Sequence, residues 1–269
     1  MRASEIAAVA YGAYAAIVAL APRWGWRRRV VVWSLAALMI GGPVALARFP
    51  QTLLRPETVM AMRGWAAAVY ILISYYTSGT LFVGPSAPFE AWLRRADVWL
   101  LRGSAGPGLP RVAQAIVELL YAGTFLMIPT GFAILVASGF PSAADRYWTT
   151  VSLAEYVSFG MLPWLPSRPP WLVDNLLPDD ARGIRRFGLI WVRRTSHRAN
   201  TFPSGHTAGS LAVAFAVIPF APIAGFGLLA IASGIAIGCV SGRYHYAVDV
   251  VAGVALAAAI SAAVGLAGI

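Results

Sequence analysis

The chain contains no lysine, a single cysteine, three histidines and few charges of any kind. Charged residues make up 12% of its 269 positions, against about a quarter in a soluble domain. With 59% hydrophobic residues, this scarcity excludes disorder, collagen and coiled coil. It also excludes an ordinary cytosolic globule, which would lack the polar surface to cover itself. The lone Cys239 excludes an internal disulfide, and no internal repeat is visible. What is present is arginine: all 21 basic residues, for a net charge of +10. Arginine grips phosphate oxygens with a planar fork and stays charged when partly buried. Such a balance elsewhere signals nucleic-acid binding. Here the arginines punctuate apolar runs, so a membrane surface or an anionic lipid head group fits and nucleic acid does not.

Apolar runs of about 20 residues are long enough to cross the hydrocarbon as helices. Such runs predict about eight spans, near 4–21, 30–47, 64–83, 112–137, 147–165, 204–220, 224–241 and 246–267. The stretch 199–242 carries no formal charge over 44 residues, with Pro219 and Pro222 marking a hairpin inside it. Between spans three and four, Phe89, Trp92, Leu93, Ala96 and Trp99 recur at helical spacing opposite Glu90, Arg94, Arg95 and Arg102. That pattern predicts an interfacial amphipathic helix near 88–102. Ala19-Leu20-Ala21 resembles a signal-cleavage box, but Pro22 and the arginines at 23, 27, 28 and 29 mark a retained span. The fold class is an all-α multi-pass transmembrane bundle, divided into a two-helix hairpin and loop (1–63) and a helical core (64–269).

Eight spans sort the loops onto two sides. Arg2, Arg48, Arg55, Arg63 and Arg146 fall on the side of the N-terminus, and the other 16 of the 21 fall opposite. The positive-inside rule and the arginines after the first span place the N-terminus outside and the loop 166–203 in the cytoplasm.

Two polar segments open helices on that second side. In Thr201-Phe202-Pro203-Ser204-Gly205-His206, the backbone N–H groups at a helix start form a ready anion site. His206 in the first turn is placed to give a proton to a departing oxygen. In Arg243-Tyr244-His245-Tyr246-Ala247-Val248-Asp249, His245 and Asp249 are four apart and share a helical face. A carboxylate beside an imidazole fixes its tautomer and frees the other nitrogen to attack an electrophile, whose oxygens Arg243 can neutralise. A capped helix and a structural ion pair are the bland alternatives for each segment alone. A facial triad of His206, His245 and Asp249 around a metal is a further one. Glu118, with Tyr121 a turn deeper, and Glu155 are intramembrane polar groups, paired or functional. His197 reads as a loop residue.

These segments carry a resemblance. PSGH followed by RYHYAVDVVAG is similar to the type 2 phosphatidic acid phosphatase (PAP2) superfamily, the vanadium-haloperoxidase-like lipid phosphatases, over roughly 147–265. His245, Asp249 and Ala252-Gly253 match the family's third motif, while its usual arginine position is Cys239. Arg243, two before the histidine, resembles the form in the branch that includes inositol phosphorylceramide synthases. Of the first motif, Arg168-Pro169 fits and the lysine position is Met161; Arg194 and Arg198 are rivals for the arginine, and Arg193 is a further substitute for the missing lysine. The resemblance implies a six-helix core and metal-independent phosphoryl transfer without a cofactor. His245 is then the nucleophile oriented by Asp249, and His206 the proton donor. Ser204, Gly205, Arg243 and Arg168 hold phosphate oxygens. The substrate is a membrane lipid phosphate or diphosphate and the acceptor is water, a polyol or a lipid hydroxyl. The third and fourth spans with the 88–102 helix would admit the chain laterally. A non-enzymatic transporter or scaffold is the remaining alternative. The implied setting is a bacterial inner membrane.

Overall fold

The computed structural model describes residues 1–49, 54–103 and 108–269, apart from the Asp180 side chain. Among them are twelve α-helices and no strand, only an isolated bridge between Ser167 and Asn200. The helices are α1 (Ala3–Val18), α2 (Trp26–Arg48), α3 (Pro56–Thr80), α4 (Ala87–Leu100), α5 (Arg111–Ala122) and α6 (Thr124–Ala137). They continue with α7 (Ala144–Gly160), α8 (Pro170–Val173), α9 (Gly183–Thr195), α10 (Gly205–Val217), α11 (Pro222–Ser241) and α12 (Ala247–Leu266). Proline opens α3, α8 and α11, where its missing N–H has no helical partner to lose.

Four of the expected spans, α2, α3, α11 and α12, are long and apolar enough to cross a membrane. Only 22–39% of each spanning window is buried, so their apolar side chains face outward, as a lipid-facing helix requires. The run expected as one span at 112–137 is two helices, α5 and α6, bent by 71° at Gly123. An apolar count cannot register such a bend. The runs at 4–21, 147–165 and 204–220 form shorter helices of 16, 17 and 13 residues. Two of these, α7 and α10, lie inside the bundle, with Tyr147, Val151, Ala208, Ala212 and Val213 fully buried. Helices wrapped by other helices need not match the hydrocarbon thickness themselves.

The loops gather at two ends. At one, the α1 start meets α7: the Ala3 and Ser4 N–H groups donate to Asp145, and Arg63 pairs with Glu5 at 2.9 Å. At the other, the Trp24 indole donates to the Leu81 carbonyl, Arg28 to Phe82 and Arg23 to Pro163. The N-terminal hairpin is bound to the core by Tyr14, which donates to the Gly160 carbonyl, and by Tyr11 stacked on Tyr156 at 5.0 Å.

The expected amphipathic helix is present as α4, but turned differently. Trp99 is 78% exposed and Trp92 41%, while Glu90 and Asp97 are buried. Glu90 was expected on the solvated face. It points inward because it pairs there with Arg168, as Asp97 pairs with Arg243.

Candidate active site

The segment after α11 bends back sharply. Gly242 closes the helix, Arg243 takes a left-handed φ of 56°, and the Tyr244 and His245 N–H groups both donate to the Cys239 carbonyl, at 2.9 and 3.0 Å. This turn lifts His245 to the mouth of α12. His245 Nδ1 lies 3.4 Å from Asp249 Oδ2, and the same carboxylate oxygen accepts the Tyr246 N–H at 2.9 Å. Nε2 is the ring atom left to act. Burial pushes the His245 imidazole down, to about 3, so the ring is neutral and its lone pair free.

Opposite stands the start of α10. Ser204 caps it, accepting the Thr207 N–H at 3.3 Å, and its own N–H donates to the Asp249 carbonyl at 3.0 Å. A side chain at Gly253 would come within 2.9 Å of the Ser204 carbonyl, so glycine there lets α12 approach this close. The Gly205 N–H donates to the Thr201 hydroxyl at 3.3 Å. The two expected histidines meet: the His206 and His245 rings are 5.5 Å apart, centre to centre. Tyr121 stacks on His206 at 4.8 Å and on Tyr244 at 3.9 Å, joining the two segments.

Glu118 is buried and accepts from Gln114 at 3.0 Å, from Arg185 of α9 at 2.7 Å and from the Tyr244 hydroxyl. It is thus paired with a neighbouring helix while touching the catalytic turn. Glu155 is buried against Gly205 and Gly209, where any side chain would meet its carboxylate. Arg193 donates to the Leu176 carbonyl at 2.6 Å and lies over the Trp171 ring. Arg194 and Arg198 are exposed. His197 packs on the rings of Tyr75 and Tyr76, at 4.7 and 5.4 Å, tying the end of α9 to α3. Among the described residues no group of three or more His, Cys, Asp or Glu is arranged to hold a metal ion.

Four residues whose role sequence reasoning missed hold this site: Glu90, Asp97, Asp174 and Asn200. Arg168 is gripped by Glu90, Nε to Oε2 at 3.0 Å and Nη2 to Oε1 at 2.6 Å, and its N–H donates to the same carboxylate. The Arg168 guanidinium holds the Glu90 carboxyl below its ordinary value, so the pair stays ionised at neutral pH. Arg243 is gripped by Asp97 at 2.6 Å and by Asp174 at 2.9 Å. Asp97 also accepts the Ala247 N–H at 2.7 Å, capping α12 two residues after His245. The signal was present in the spacing, since Glu90 and Asp97 are seven apart and so share a helical face.

The fourth is Asn200. Its N–H donates to the Ser167 carbonyl at 2.8 Å and its amide to the Ser167 hydroxyl at 3.1 Å; the same side chain faces the Asp249 carboxylate. Asn200→Ala is expected to lower kcat with KM unchanged, by removing the side chain that sits between Ser167 and Asp249 beside His245. A matching rise in KM with unchanged kcat would assign Asn200 to substrate binding instead.

No curated protein and no solved structure matches the chain. The family described as the PAP2 superfamily matches residues 109–263, a stretch that contains His206, His245, Asp249 and Asn200. That match spans more than half of the 269 residues and includes both facing histidine segments, so the chain belongs to the PAP2 superfamily.

Proposed function

We propose that this protein is an integral-membrane lipid phosphatase or phosphotransferase that works through a phosphohistidine at His245. Family membership supports phosphatase-type action on a lipid phosphate. The observation that carries the finer reading is the pairing of the two imidazoles, 5.5 Å apart, with Asp249 behind one of them. At that separation a single phosphate ester presents phosphorus to one ring and its leaving oxygen to the other.

His245 Nε2 attacks phosphorus, and the bond to the leaving oxygen breaks as His206 protonates it. Water or a hydroxyl, deprotonated by His206, then takes the phosphoryl group and restores His245. There is little covalent chemistry beyond this, so positioning and charge stabilisation supply most of the rate. Arg243 lies in the second segment and Arg168 next to the Ser167–Asn200 bridge, and each reaches the phosphate by exchanging a carboxylate for it. The RYHY form of the third segment supports the inositol phosphorylceramide synthase-like branch, a head-group transferase, as the alternative. An apolar groove of about 560 Å³ between the end of α4, α11 and α12 ends at Ala247, beside His245. It offers the lipid chain a lateral path lined by Leu100, Leu101, Val240 and Val251. Of the elements expected to form that path, only α4 takes part.

The deciding experiment supplies a panel of lipid phosphates to detergent-solubilised protein, in EDTA, with and without polyol acceptors. Free phosphate from at least one substrate is expected, or a phosphorylated acceptor in its place. No turnover in EDTA, restored by one divalent metal, would replace this mechanism with a metal-dependent one.

In the expected bacterial inner membrane, the arginine distribution favours an active site that faces the cytoplasm. On a Cys239→Ala background, an impermeant maleimide on intact cells is expected to label Ser142→Cys and spare Asp179→Cys. Both positions are exposed, in loops at opposite ends of the bundle. The reverse pattern moves the substrate to the outer leaflet.

A further inference from the structure

Beside the catalytic turn lies a second cavity that the mechanism above does not use. It holds about 490 Å³ and is lined by Arg111, Gln114, Glu118, Arg182, Gly183 and Arg185, with Leu109 at its edge. Three guanidinium groups thus surround one cavity. Arg185 is paired with Glu118 at 2.7 Å. Arg111 and Arg182 are exposed and form no ion pair among the described residues, so their charge is available to a ligand. Two helices also begin here: α5 at Arg111 and α9 at Gly183, and neither has a side-chain cap. Their free N–H groups and dipoles add to the positive potential. The single carboxylate in the wall, Glu118, is already saturated by Gln114, Arg185 and Tyr244.

The cavity communicates with the reaction centre through that carboxylate. Glu118 accepts from Tyr244, the neighbour of His245, and Tyr121, one turn along α5, stacks on His206. The cavity and the catalytic site therefore share α5, and Glu118 in the cavity wall is hydrogen-bonded to the turn that carries His245. Its edge residue, Leu109, also lines the apolar groove beside Ala247.

We infer that this cavity binds a second phosphate-bearing head group, resting on the proposed reaction at His245. The ligand is anionic and small, and Arg111 and Arg182 are its principal contacts, with Arg185 and Glu118 fixing the floor. Two sources have this chemistry: the chain-bearing, leaving phosphate of a lipid diphosphate donor, whose distal phosphate His245 takes, or the phosphate of a polyol-phosphate acceptor.

The test compares unaltered protein with Arg111→Gln/Arg182→Gln in three kinetic arms. The arms are a prenyl monophosphate with water, a prenyl diphosphate with water, and the monophosphate with glycerol 3-phosphate as acceptor. In the last arm the scored product is glycerol bisphosphate. The monophosphate arm is expected to stay within twofold. KM is expected to rise about tenfold or more for the diphosphate if the donor is the source, or for glycerol 3-phosphate if the acceptor is. Equal loss in all three arms, or no loss in any, overturns the inference. A readout independent of turnover separates this from failure of the proposed reaction. Titration calorimetry with inorganic pyrophosphate is expected to show one fewer site in the double variant, and no change in that site in His245→Ala. Identical stoichiometry in the unaltered and doubly substituted proteins overturns it whatever the activity.

Discussion

His245→Ala is expected to abolish turnover, with a loss of at least about 10⁴-fold, because it removes the attacking atom and no neighbouring group can replace it. The ring is buried, neutral and held at Nδ1 by Asp249, so its other nitrogen is the one directed at substrate. The variant should fold, since the backbone of the turn is fixed by the Cys239 carbonyl and by Asp97, neither of which the substitution touches. Quenching the unaltered protein during turnover with denaturing detergent at alkaline pH is expected to trap a phosphate that is acid-labile and alkali-stable. That signature belongs to a nitrogen-bound phosphate and not to an ester. Activity in His245→Ala close to that of the unaltered protein would remove the whole mechanism.

The second large effect is at His206. His206→Ala should lower kcat by about 10²–10⁴-fold, the range that general acid catalysis supplies. The loss must depend on the substrate. With an alkyl or prenyl leaving group the departing oxygen needs a proton and the full penalty appears. With a nitrophenyl leaving group it departs without one, so most of the loss in the first step should vanish. The same variant should accumulate the trapped phosphate when breakdown of the intermediate becomes slow. A loss of equal size on both substrates would mean that His206, stacked on Tyr121 and edge-on to Phe125, serves the packing of the site and not proton transfer.

Much of this was legible in the sequence, for local reasons. His206 and its cap lie within three residues, and His245 and Asp249 are one helical turn apart, so spacing alone places each pair. That the two segments face each other was implied only by the resemblance. The helical class was legible because apolar runs and their arginine boundaries are one-dimensional features. The bend at Gly123 was not, because both halves of that run are equally apolar and the angle is set by packing against other helices. Glu118 could be recognised as an acid that must be paired, but its partners Arg185 and Tyr244 lie 67 and 126 residues away. The same distance hid the role of α4. Its contacts to Arg168 and Arg243 join residues 78 and 146 apart, and the strong aromatic stripe on its other face drew attention to the membrane surface instead.

That helix has a mechanical consequence. Glu90 and Asp97 are two turns apart on one rigid rod, and each holds a different arginine at the catalytic end. The two guanidinium groups are therefore yoked, and releasing one by shifting α4 shifts the carboxylate on the other. An incoming monoanion can replace one carboxylate and leaves the remaining pair to draw the rod back. A phosphate dianion can satisfy both arginines at once, so the exchange becomes cooperative and favours doubly charged ligands over singly charged ones. In this way the resting bundle keeps both arginines paired with carboxylates of one helix, and on the proposed function it would discriminate by charge number before any other group on the ligand is recognised.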